Sequence, residues 1–216
     1  DLTTFLVFNF RHGVVIGIDV ASGVGEDSST MVFVDSKTLR PIAVYKNNRI
    51  DTDDFAILIA HIVEKIIIPN EIKLAIGIER NNVGAGVLAR LKKYEAVKQY
   101  LLAYPVSDAK MNDLDKPVDV YRNGNKMDYG ITVGDKIRHL FTVVLLSSLV
   151  KKHTLVFAIE PIVNEVKGLV KNKKLDRVRI EHGPSSHDDV LFGSFHAYYP
   201  LYYAQDILKK FHGISV

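Results

Sequence analysis

The run Val14-Val15-Ile16-Gly17-Ile18-Asp19-Val20 places one carboxylate inside an otherwise apolar, largely β-branched stretch. Such a run reads as a strand buried on both faces. An unpaired carboxylate there would cost several kcal/mol, so a strand here requires a partner for Asp19, either a cationic group or a metal ion. The rest of the chain must supply the fold that brings this partner in. At 216 residues it is sized for a single α/β domain with a sizeable core.

Later segments set the expected architecture. After the polar turn "ASGVGEDSS", "TMVFVD" reads as a second strand, and Lys37 to Pro41 as a turn into a third, "IAVYKN". Connections this short imply an antiparallel meander. "DTDDFAILIAHIVEKIII" has helical character, with Asp51 or Thr52 as N-cap and Pro69-Asn70 as a stop. "KLAIGIE" is another apolar strand, ending on a second carboxylate, Glu79, and "GAGVLARLKKY" reads as a helix after a short loop. Residues 104–129 are polar and rich in turn formers, and Asn123-Gly124 suits a hairpin turn, so the segment reads as a hairpin or loop insertion. "DKIRHLFTVVLLSSLVKK" and "EPIVNEVKGLV" are helix candidates, "RVRIEH" a short strand, and "HDDVLFGSFHAYY" the start of a helix with acids in its first turn. The fold class is therefore α/β, a mixed central sheet of an antiparallel meander plus parallel strands, flanked by helices.

Composition excludes several functions. With no cysteine there are neither disulfides nor cysteine-ligated zinc, which fits a reducing cytoplasm. The net charge is only +3, so any nucleic-acid surface has to be a local basic patch. No window is apolar for the length of a membrane span, no secretory signal is present, and no membrane partner is expected. The pattern G-x-x-x-x-G-K-[ST] is absent, and Gly84 and Gly86 lack the spacing of a nucleotide fingerprint. The chain starts at Asp1 and runs directly into apolar "FLVFNF", which reads as a piece cut from a longer protein.

Three acidic positions carry the chemistry: Asp19 inside the first strand, Glu79 at the end of a later strand, and Asp188-Asp189 at the start of a late helix. A strand-end acid is often solvated and an Asp pair at a helix start is often a cap. Jointly they make a hard-oxygen cluster suited to Mg²⁺ or Mn²⁺. Such a cluster can hold two ions roughly 3.5–4 Å apart for phosphodiester cleavage. His182, His187 and His196 share no regular helical spacing, and this argues against a histidine metal site.

The motifs "IGIDVASGVGEDSS", "IGIERNN", "YGITVGDKIR" and "HDDV", in that order, resemble the nuclease domain of the large terminase subunit of tailed bacteriophages, within the RNase H-like fold group. The resemblance runs from about Val14 to about Tyr199. It implies a metal-dependent endonuclease that cuts double-stranded viral DNA concatemers during genome packaging, with little sequence preference and two divalent ions. By motif, Asp19, Glu79 and Asp189 correspond to the catalytic metal ligands. Asp188 stands beside the third, and Asp27 matches an acidic position that the family often keeps near the metals. Ile131 stands where the family frequently has an aromatic. Lys136 and Arg138, which accompany a family motif, are the basic residues expected to contact DNA phosphates. The resemblance further implies that residues 1–216 form the C-terminal nuclease part of a longer ATPase-nuclease protein. Its partners would be an N-terminal ATPase domain, a small terminase subunit and a portal, in the cytoplasm of the infected bacterial host. A Holliday-junction resolvase or transposase of the same fold group would use the same acids. An actin-like or sugar-kinase ATPase would need a duplicated domain and a second phosphate loop, neither of which is visible.

Overall fold

The branched apolar runs form the strands that their alternation implies. The computed structural model describes residues 12–81, 83–105, 127–152, 159–174, 177–184 and 186–216. Strands β1 (Val14–Asp19), β2 (Ser29–Asp35) and β3 (Pro41–Asn47) make the antiparallel meander, and β4 (Leu74–Ile78) lies parallel to β1. The sheet order is β3-β2-β1-β4. Between β3 and β4 runs α1 (Thr52–Ile62), extended by a wider π-helical segment over Val63–Ile67. Asp51 caps α1, its carboxylate accepting from the amides of Asp53 and Asp54 at 2.9 and 2.8 Å.

The outer edge of β4 is paired in two short pieces. Leu101 bridges Ile76 and Ile131 bridges Glu79, both in the parallel sense. Between them the chain leaves the sheet as an antiparallel pair, β5 (Ala103–Pro105) with β6 (Met127–Tyr129). The expected insertion is thus rooted as a hairpin stem beside Glu79, and its residues 106–126, including Asn123-Gly124, lie outside the described residues.

The helices α2 (Val83–Leu91) and α3 (Glu95–Lys98) follow β4. The long segment after residue 134 is α4 (Asp135–His139), a π-helical stretch Leu140–Leu145 and α5 (Leu146–Lys151). Next come α6 (Glu160–Lys167), then β7 (Leu169–Lys174) paired with β8 (Arg177–His182), and finally α7 (Asp189–Tyr203) and α8 (Gln205–His212). Two expectations shift here. The helix read across "EPIVNEVKGLV" stops at Lys167, and its last residues, Leu169 and Val170, begin β7. The late helix starts at Asp189, with Asp188 as its N-cap residue.

Because side chains alternate along a strand, the sheet has two unlike faces. Val14, Ile16 and Ile18 pack with Phe55, Ile59, Val87 and Leu88 from α1 and α2. Val15, Val32, Val34 and Ala75 face α7, which is buried at every position from Asp189 to Leu201. On that second face Gly17 and Gly77 sit side by side in the β1–β4 register. A Cβ on Gly17 would land on the carbonyl oxygen of Gly193 and the amide nitrogen of Ala197, and one on Gly77 on the carbonyl oxygen of His196. Helix and sheet meet there backbone to backbone.

Candidate metal centre

Parallel pairing in register brings the two strand-end acids together. Ile18 pairs with Ile78, so Asp19 and Glu79 emerge at the same end of adjacent strands. Each lies two residues beyond its glycine, on the face that carries α7. The Glu79 amide donates to the Ile18 carbonyl at 3.3 Å and the Val20 amide to the Asp19 carboxylate at 3.0 Å. Asp19 and Glu79 line a cleft with Val20, Asn81, Val83 and Gly84.

The start of α7 supplies the other two acids. The Asp189 carboxylate accepts from the Ser28 amide at 3.0 Å, and the Asp189 carbonyl accepts from the Thr30 hydroxyl at 3.0 Å. This ties α7 to β2, where Thr30 pairs with Asp19. Asp188 keeps 14% side-chain exposure, and one of its carboxylate oxygens is buried without a hydrogen-bond partner. The Arg138 guanidinium lies 3.7 Å from that oxygen and 4.4 Å from the centre of the Phe192 ring. Lys136, two residues earlier in α4, is exposed.

The charge environment answers the question raised by Asp19. Burial, followed by the negative charges of Glu79, Asp189 and Asp188, holds its carboxyl well above the usual range, with only the Val20 amide acting the other way. The carboxyl of Asp188 is also raised, by burial, although Arg138 and His182 oppose the shift. The charges acting on Asp19 are therefore all of its own sign. A set of carboxylates crowded in this way fits a hard divalent cation, because bound positive charge removes the repulsion that the protein leaves standing.

Three further residues shape this centre. Glu165, from α6, accepts from the Leu191 amide at 2.8 Å and from the Lys46 ammonium at 2.9 Å. It thus caps α7, whose own N-cap makes no side-chain hydrogen bond. The same Lys46 ammonium lies 3.7 Å from the Asp189 carboxylate. Burial raises the Glu165 carboxyl against the lowering effects of Lys46 and the Leu191 amide. The third residue is His196, with Nε2 3.6 Å from a Glu79 oxygen.

Histidines also turn out to stand among the acids, contrary to the inference from their mutual spacing. Asp19, Glu79 and His196 bring one ligand atom each within 4.8 Å of one another, and Asp27, His187 and Asp189 form a second such group. Mutual spacing does not report this, since the rings of His187 and His196 stand beside carboxylates from other parts of the chain. Asp27 and His187 are exposed and lie 3.6 Å apart.

No family model and no curated protein sequence matches the chain. Solved structures do. The large terminase nuclease from thermophilic phage G20c with bound magnesium superposes with a TM-score of 0.59 at 13% identity, covering 87% of this chain and 81% of that one. The same nuclease with bound cobalt gives 0.60 at 13% identity, over 87% and 81%. The large terminase nuclease domain of Thermus phage P74-26 gives 0.57 at 12% identity, over 88% and 80%. The chain has the fold of the large terminase nuclease domains, an RNase H-like mixed sheet flanked by helices.

Proposed function

We propose that this domain is a divalent-metal-dependent endonuclease that cuts double-stranded viral DNA concatemers during genome packaging, with little sequence preference. The observation that carries the reading is the convergence of Asp19, Glu79, Asp188 and Asp189, seen in the electrostatic burden on Asp19. The fold shared with terminase nucleases, one of them solved both with magnesium and with cobalt, supports it.

In this reading Asp19, Glu79 and Asp189 are the principal ligands, with Asp188 and Asp27 at the margin. Two Mg²⁺ or Mn²⁺ ions held there would supply an activated water and stabilise the leaving oxygen. The chain's own residues set the stage. The Ser28 amide and Lys46 orient Asp189, and the Val20 amide orients Asp19. Arg138 balances Asp188 and lies at the centre, where it can engage a phosphate, and Lys136, two residues earlier in the same helix, offers a second, exposed charge. The wider assignment follows the same reading: the C-terminal nuclease of an ATPase-nuclease protein, working with a small terminase subunit and a portal in the host cytoplasm.

The test is cleavage of supercoiled plasmid. Wild-type protein should nick and linearise it with Mn²⁺ or Mg²⁺ and not with EDTA. Asp19→Asn, Glu79→Gln and Asp189→Asn should each remove most activity. Wild-type cleavage by Asp19→Asn would refute the metal-centre reading. Neutralising Lys136 should weaken binding about equally on unrelated sequences, with a smaller salt slope.

A further inference from the structure

We infer that His196 is a nitrogen ligand of the centre, so that the Asp19–Glu79 end is a mixed nitrogen–oxygen site that favours late first-row divalent ions over magnesium. This rests on the metal-centre reading above and deepens it.

His196 lies on α7, seven residues beyond Asp189, and so two turns along the same side of the helix. Its side chain has 0% exposure, and both ring nitrogens are buried without a hydrogen-bond partner. The Phe141 ring stands edge-on to it at 5.5 Å. A buried imidazole left in this state forfeits the solvation of two polar atoms, which is costly unless something satisfies them. A Glu79 carboxylate oxygen lies 3.6 Å from Nε2. That distance is long for a hydrogen bond. It is close to the separation of two donors sharing one ion, roughly 3.0–3.4 Å for bonds of about 2.1 Å. An Asp19 oxygen completes the triangle, with all three donor atoms within 4.8 Å of one another. The backbone contacts at Gly17 and Gly77 hold the helix against the strands at this level, so the donors belong to rigid elements.

Imidazole suits cobalt, nickel and zinc, whereas magnesium takes oxygen ligands almost exclusively. The experiment measures Co²⁺ and Mg²⁺ binding by calorimetry on wild type, His196→Gln and His196→Leu, with far-UV circular dichroism as the check on folding. A histidine ligand predicts that both variants lose about tenfold or more in Co²⁺ affinity and much less in Mg²⁺ affinity. Equal losses for the two ions would make His196 a positioning residue for Glu79 and overturn the proposal, as would unchanged Co²⁺ affinity. A second measurement needs no substitution at His196. In a His187→Asn background labelled with ¹⁵N-histidine, electron spin-echo spectra of bound Mn²⁺ should show direct coupling to imidazole nitrogen, and absence of coupling overturns the proposal. Failure of wild type to bind any divalent ion would instead sink the metal-centre reading itself. Binding that survives without nitrogen coupling sinks only the role of His196.

Discussion

The two faces of the central sheet are built on different principles. Toward α1 and α2 the contact is made by side chains: Ile16 and Ile18 interlock with Phe55 and Ile59 in an ordinary apolar layer. Toward α7 the contact at Gly17 and Gly77 is made by main chain. A side-chain layer can absorb a change of shape by repacking, whereas a backbone contact has no slack. The acids sit on the rigid face, and the compliant face carries none of them. The contrast teaches that the position of Asp189 and His196 relative to Asp19 and Glu79 depends on small residues in the strands as much as on the acids.

Four substitutions test the contrast. Gly17→Ala should do the most damage, costing more than about 3 kcal/mol or preventing folding, because its Cβ meets backbone that cannot rotate away. Urea denaturation measures this, and a loss below about 1 kcal/mol would mean that α7 can lift off the sheet. Asp19→Asn should raise the melting temperature of metal-free protein. The folded-state carboxyl sits above its ordinary value of 3.8, so the folded state binds the extra proton. The stability of the metal-free wild type therefore falls as pH rises from 3.8 through that raised value, and the full cost persists above it. The advantage of the variant should be largest in EDTA at pH 8 and shrink as pH is lowered toward 5. Millimolar Mn²⁺ should reverse the ranking, since an ion that binds only the folded wild type stabilises it by RT ln(1 + [L]/Kd). A variant that melts lower in EDTA and gains as much from Mn²⁺ as wild type would make Asp19 a structural residue.

Glu165→Ala should cost about 1–2 kcal/mol by uncapping α7 and releasing Lys46, and should also weaken Mn²⁺ binding. An unchanged melt together with unchanged Mn²⁺ affinity would show that the cap is incidental. The smallest effect belongs to the compliant face. Ile16→Val should cost about 1 kcal/mol and leave metal affinity as it was. A shift in metal affinity there would mean that the two faces are coupled after all.

Periodicity revealed the parts of the molecule that depend on neighbours in the chain. The meander, the Asp51 cap and the strand ending at Glu79 follow from alternation and short turns. The charge on Asp19 was legible because nothing apolar tolerates it. Glu165 and Lys46 were not legible, since their roles come from contacts across 119 residues of chain. The role of Gly17 and Gly77 has a signal in the sequence. "IGID" and "IGIE" repeat one pattern, and a glycine two positions before an acid lies on the acid's own face. His196 also had one, in its interval of seven from Asp189. Arg138 illustrates the reverse case: its basic character suggested a phosphate contact, but the structure also gives it Asp188 and Phe192.

The backbone contact beneath α7 bears on how far such a protein can drift in sequence. An interface located by interlocking side chains must change its residues in compensating pairs, or the helix shifts and the acids go with it. An interface located by main chain asks only that a few positions stay small. The side chains around it can then be exchanged one at a time without moving the helix. A fold held by that device can remain superposable on the phage nucleases at 12–13% identity. What must persist in this chain is the small-residue floor under the helix, at Gly17 and Gly77.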